Sequence, residues 1–292
     1  MLIYLHQGGA ITADPGALEG AFRASSPLRQ FSAIFAAFGI KPVYMTLSLL
    51  VPWWLRGRSE PDLKATSRAM LAFFLGETFC YVNIFVYHHE SGLSEYLHSY
   101  GMVVALGFAA YAFLEALDRR VLFTEDQSRS CNLIGLCGGC SRSAEPGCCF
   151  VRVFQFVIPA CLILAGLPLM VEPSVVSYHT IIWRFPYNYS HALVHQLFEL
   201  RICPLFAAPL FAASWLALLK RWRSLAWSKV LFSMGMGFLL FGYLRLLLLA
   251  PFRDDLVWFD FWEEATELLG VAAVAILIRI FKKGLLVVEL PG

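Results

Sequence analysis

The stretch VLFSMGMGFLLFGYLRLLLLA, Val230–Ala250, decides the fold. It carries one charge, Arg245, and none of the period-2 alternation of a strand. As a helix it is about 30 Å long, the thickness of a bilayer's hydrocarbon core. Gly235, Gly237 and Gly242 give it small faces suited to close helix–helix contact.

Similar runs recur on both sides of it. Spans are expected at Phe31–Leu55, Ala69–His88, Leu97–Leu117, Val151–Met170, Ile202–Leu219, Val230–Ala250 and Trp258–Ile280. The chain is 59% hydrophobic and only 15% charged, with mean hydropathy +0.64. A water-soluble domain carries roughly 25% charged residues. A helix is the only open-chain structure that satisfies its own backbone in lipid, so the expected fold is an all-α polytopic membrane bundle of seven transmembrane helices. The first 30 residues show no cleavable signal pattern.

Lysine and arginine give the direction. Sixteen fall in alternate connections that hold Arg56, Arg119, Lys220 and Lys282 among others, and five fall on the opposite side. The positive-inside rule then places the N-terminus outside and the C-terminus in the cytoplasm. The resulting layout is a short outer tail at 1–30, helices one to three at 31–117, a cytoplasmic Cys-rich loop at 118–150, and helices four to seven at 151–292. An outer interfacial segment is expected at 171–190, where Trp183, Phe185, Tyr187 and Tyr189 cluster. The lipid bilayer is the expected partner, with other membrane subunits as further partners, in a bacterial inner (plasma) membrane. A net charge of +2 gives no reason to expect nucleic acid.

All seven histidines fall on or near the outer face in this topology. SHALVHQLFELR, Ser190–Arg201, reads as the start of a helix capped by Ser190, running into the fifth span with kinks near Pro204 and Pro209. His191 and His195 would then lie one turn apart and grip one ion. With His88 and His98 at similar depth, these four form the expected outer site for a transition metal or haem. His6 and His179 read as surface residues. The bland alternative is that amphipathic histidines simply collect at the interface.

Charges within spans point the same way, because they are costly in lipid and face partners or cavities. Lys41 and Glu77 lie at comparable depth and are expected to pair. Arg245 is at a depth to reach Glu263 or Glu267. Glu77 and Glu267 are the candidate catalytic bases, whereas Asp260 and Glu264 read as acids drawn to a helix N-terminus.

Eight cysteines are present. Cys80, Cys161 and Cys203 are isolated in spans and read as small apolar residues. The others form C-x5-C-x2-C-x7-C-C within one cytoplasmic loop: Cys131, Cys137, Cys140, Cys148 and Cys149. Four of them, Cys131, Cys137, Cys140 and Cys148, suit tetrahedral zinc or an iron–sulfur cluster; unligated or lipidated thiols are the alternative.

Two fragments, SEYLH (Ser94, His98) and HALVH (His191, His195), resemble the Ser-x3-His and His-x3-His pairs of the alkaline-ceramidase and adiponectin-receptor group of seven-span zinc hydrolases. In this chain the His pair precedes the fifth span instead of lying in the last. The resemblance implies a membrane-embedded zinc hydrolase of lipid or amide substrates, its ion held by His98, His191 and His195. The residues themselves favour a metalloprotein in redox or metal handling. A non-enzymatic assembly or scaffold subunit is the third class, and a transporter the fourth.

Overall fold

The computed structural model describes residues 26–87, 91–122, 148–172, 176–182, 185–191, 196–219, 225–252 and 256–285. Seven long helices run through them. We label these α1 (Pro27–Trp54), α2 (Pro61–Phe85), α3 (Gly92–Leu117), α4 (Cys148–Gly166), α5 (Phe198–Leu219), α6 (Leu225–Phe252) and α7 (Leu256–Leu285). Six helices, α1 to α6, are long and apolar enough to cross a membrane. The remaining one, α7, has 30 residues but concentrates its acids, Asp260, Glu263, Glu264 and Glu267, in its first half.

Burial runs opposite to that of a water-soluble bundle. Phe156 and Met170 are 80% exposed and Ile163 is 75% exposed, while Lys41, Glu77 and Glu264 are buried. An apolar exterior around a polar interior is stable where the surroundings are themselves apolar. The helices contact a bilayer.

Starts and stops follow local chemistry. Ser26 caps α1, accepting from the Arg29 N–H at 3.4 Å, with Pro27 in the first turn. Ser91 caps α3 by accepting from the Ser94 N–H at 3.2 Å. After α1 the chain turns through Gly57, whose φ of 84° suits a residue without Cβ.

Prolines set the internal irregularities. A π turn at Phe35–Ile40 ends just before Lys41-Pro42, and another at Phe198–Ile202 ends just before Cys203-Pro204. In each, the residue ahead of the proline donates five residues back, Lys41 to Ala36 O and Cys203 to Phe198 O. Proline has no N–H and crowds the carbonyl four residues earlier, so the helix accommodates it by widening one turn. In α1 the carbonyl of Ala37 accepts from the Tyr81 hydroxyl of α2 at 2.8 Å instead.

Glycines bring three helices close together. A Cβ on Gly101 of α3 would lie 2.6 Å from Gly76 Cα of α2. On the other face of α3, a Cβ on Gly237 of α6 would collide with the Val103 carbonyl and meet Gly107 Cα at 3.1 Å. Two apolar cores flank this stack. One joins Tyr44, Val51, Phe73, Met102, Phe198, Phe241 and Val271; the other joins Phe154, Ile158, Phe211 and Phe232.

The expected helix from His191 is not formed. Val176–Ile182 and Phe185–His191 are strands β1 and β2 of an antiparallel hairpin, with Ser190 opposite Ser177 and His191 opposite Val176. Val176, Thr180, Ile181, Phe185, Tyr187 and Tyr189 are β-branched or aromatic and favour a pleated surface over a helix. Ser190 therefore lies in a strand, and the described backbone is next helical at Gln196. An all-α fold holds for the bundle, with this hairpin inserted in sequence between α4 and α5.

Candidate functional site

The polar interior is concentrated where α1, α2, α3 and α7 meet. Lys41 Nζ lies 2.6 Å from Glu77 Oε2 and 2.7 Å from Glu264 Oε1. The Tyr44 hydroxyl is 2.8 Å from Glu77 Oε2 and 2.5 Å from Glu264 Oε2. It has one proton to donate, so both contacts close as hydrogen bonds only if one of the two carboxyls brings a proton of its own. Lys41 also donates to Cys80 Sγ at 3.5 Å, and its ammonium stands over the rings of Tyr81 and Tyr44 at 5.6 and 5.8 Å.

His98 enters from α3. Its Nδ1 is 3.2 Å from Gly76 O and 3.3 Å from Glu77 Oε1. Glu77 is fully buried, and its Oε1 makes no hydrogen bond among the described residues. Glu267 Oε2 is likewise sealed off without a partner among them. Carboxylate oxygens of Glu77, Glu264 and Glu267 lie within 4.8 Å of one another, and so do ligand atoms of Glu77, Cys80 and His98. Three carboxyl groups thus surround one lysine, at a depth of about 12 Å from the α2 end nearest Glu77.

Helical spacing explains how the sequence builds this centre. Lys41 and Tyr44, Glu77 and Cys80, and Glu264 and Glu267 are three pairs at i, i+3, each on one helix face. Pro42 and the π turn before it fix the height and direction at which Lys41 enters. Gly76 and Gly101 bring α2 and α3 together beside Glu77 and His98.

Of the residues singled out from sequence, the structure brings Glu77, Glu267 and His98 together with Lys41. The Lys41–Glu77 pair forms as depth suggested. His191 ends β2, and its side chain lies outside the described ones, as does that of Arg245. His88, His195, Cys131, Cys137 and Cys140 lie outside the described residues; Cys148 begins α4 with only its backbone described. Tyr44, Cys80 and Glu264 were not expected here. Glu264 turns inward to Lys41 and Tyr44, and its i−3 spacing from Glu267 was the signal for it.

No family model, curated protein or solved structure matches the chain. The site must therefore be interpreted from its own chemistry. A second polar cluster offers a contrast. Near the C-terminal end of α3, Lys229 of α6 donates to Glu115 Oε1 at 2.9 Å and to Asp118, while Arg120 pairs with Asp62 at 2.7 Å. There cations and carboxylates pair closely. Around Lys41, three carboxyl groups share one lysine.

Proposed function

We propose that the chain is a seven-span membrane metalloprotein that binds a divalent transition metal within the bilayer and acts in metal handling. The observation that carries this reading is the buried excess of carboxylate: Glu77, Glu264 and Glu267 against Lys41 alone. Lys41 and Tyr44 occupy Glu77 Oε2 and both oxygens of Glu264, which leaves Glu77 Oε1 and Glu267 Oε2 as open donors. Buried charge of one sign is retained in lipid where a cation completes it. Carboxylates with a nearby imidazole suit zinc, manganese or iron.

In this reading α7 is the seventh span. Its inward acids meet Lys41, so they need not face lipid. An odd number of spans agrees with the charge asymmetry, which puts the N-terminus outside. The loop with Cys131, Cys137, Cys140 and Cys148 is a separate position for zinc or an iron–sulfur cluster.

Metal analysis of the detergent-purified protein tests the proposal, with a Cys137→Ser/Cys140→Ser variant removing the loop's contribution. The expected result is a remaining equivalent of metal that Glu77→Gln abolishes. If the Cys137→Ser/Cys140→Ser protein with Glu77 intact binds no zinc, manganese, iron or cobalt on titration, the reading fails.

A further inference from the structure

Cys80 has no role in the carboxylate reading, and in sequence it is one of three cysteines isolated within spans. The other two sit among apolar neighbours: Cys203 belongs to the core of Tyr44, Phe198 and Phe241, and Cys161 meets Met236 Sδ at 3.9 Å. Cys80 is placed differently. Its sulfur accepts from Lys41 Nζ at 3.5 Å, so it faces the polar centre. Sγ, a ring nitrogen of His98 and a carboxylate oxygen of Glu77 lie within 4.8 Å of one another. An independent feature marks the same place: fully buried Glu77 turns Oε1 toward His98 and makes no hydrogen bond with it.

We infer that Cys80, His98 and Glu77 form a mixed sulfur, nitrogen and oxygen ligand set, so that the metal taken is thiophilic. This rests on the proposed metal reading and narrows it. Magnesium and calcium prefer all-oxygen shells, whereas a thiolate with imidazole selects zinc, cobalt, nickel, copper or ferrous iron. Glu77 is the ligand shared with the carboxylate group, through the oxygen that Lys41 leaves open. The Lys41 ammonium stays on Glu77 Oε2 and Glu264 Oε1, holding the shared carboxylate in orientation as an outer partner does for a metal ligand.

Cobalt(II) is the probe, added to the full-length Cys137→Ser/Cys140→Ser protein in detergent. A cobalt–thiolate bond gives a near-ultraviolet charge-transfer band, separate from the visible ligand-field bands of any bound cobalt. The expected result is one equivalent of cobalt with both features. Cys80→Ser should remove the charge-transfer band and weaken cobalt binding at least tenfold, while Cys203→Ser should change neither. A hundredfold excess of magnesium or calcium should displace nothing. Bound cobalt without a thiolate band overturns the inference and leaves the metal reading standing, as does a band that survives in Cys80→Ser. No bound cobalt overturns both. Retained thermal unfolding in Cys80→Ser shows that the change is local, and Cys80→Ala gives the same readout should the serine variant misfold.

Discussion

Lys41 Nζ bridges Glu77 Oε2 at 2.6 Å and Glu264 Oε1 at 2.7 Å, tying α1 to α2 and α7 through one atom. Replacing it with methionine leaves buried carboxylates facing each other. Breaking a buried pair from one side costs about 3–5 kcal/mol. Lys41→Met should lower the unfolding temperature in detergent sharply, and adding Glu264→Gln should recover part of the loss. A double variant no more stable than the single one would show that the pair does not hold the bundle.

Glu267 offers the opposite case. Its Oε2 makes no hydrogen bond among the described residues, so Glu267→Gln removes a proposed metal donor and little native contact. Metal titration should show an affinity at least tenfold weaker, about 1.4 kcal/mol, with unfolding close to wild type. Unaltered metal binding would remove Glu267 from the site.

Lys229 separates a purely structural cluster from the proposed centre. It pairs with Glu115 and Asp118 well away from Lys41 along α3. Lys229→Met should destabilise the protein by about 3 kcal/mol for the same reason of unpaired buried charge. Metal content per folded molecule should stay unchanged, which mass spectrometry of the purified protein would check.

The α2–α3 crossing is predicted to matter for both stability and binding. An alanine at Gly101 would put Cβ 2.6 Å from Gly76 Cα, a backbone contact that no rotamer relieves. Overpacking of this kind costs about 1–3 kcal/mol. It should also weaken metal binding, since Gly76 adjoins Glu77 and Gly101 follows His98 by three residues. Gly270→Ala, where nothing lies within 4 Å, should be neutral or slightly stabilising by calorimetry.

Topology has a direct test. With seven spans and an outer N-terminus, a fluorescent domain fused after Gly292 should fold and fluoresce in the cytoplasm. A tag ahead of Met1 should be cleaved by protease added outside intact cells. Both ends on one side would reduce the spans to an even number.

The long apolar runs were legible because lipid forces each span to be both apolar and helical, and six of them are helical where expected, although some begin well outside the expected ends, as Pro61 against Ala69. Lys41 and Glu77 were legible as partners because charge in an apolar run must face inward. The hairpin was not. Its His191-x3-His195 spacing matched a helical turn, while the aromatic and β-branched residues before it carried the stronger, opposite preference. Glu264 was misread for a related reason. An acid near a helix start is ordinary when that start meets water, and only the packing of α7 against α1 turns it inward. Cys80 was hidden by its chemistry, since an isolated cysteine in an apolar span looks the same whether it faces lipid, a core or a cation.

The glycine crossing sorts the side chains of the centre into two sets. Glu77, Cys80 and His98 ride on α2 and α3, which meet backbone to backbone at Gly76 and Gly101. Lys41, Tyr44, Glu264 and Glu267 form the other set, on α1 and α7, joined to α2 by the Lys41 and Tyr44 contacts with Glu77 and by the Tyr44 ring against Phe73. In the proposed reading an ion takes donors from both sets, so its binding ties α1 and α7 to α2 and α3 beyond the apolar core that Tyr44, Phe73, Met102 and Val271 already share.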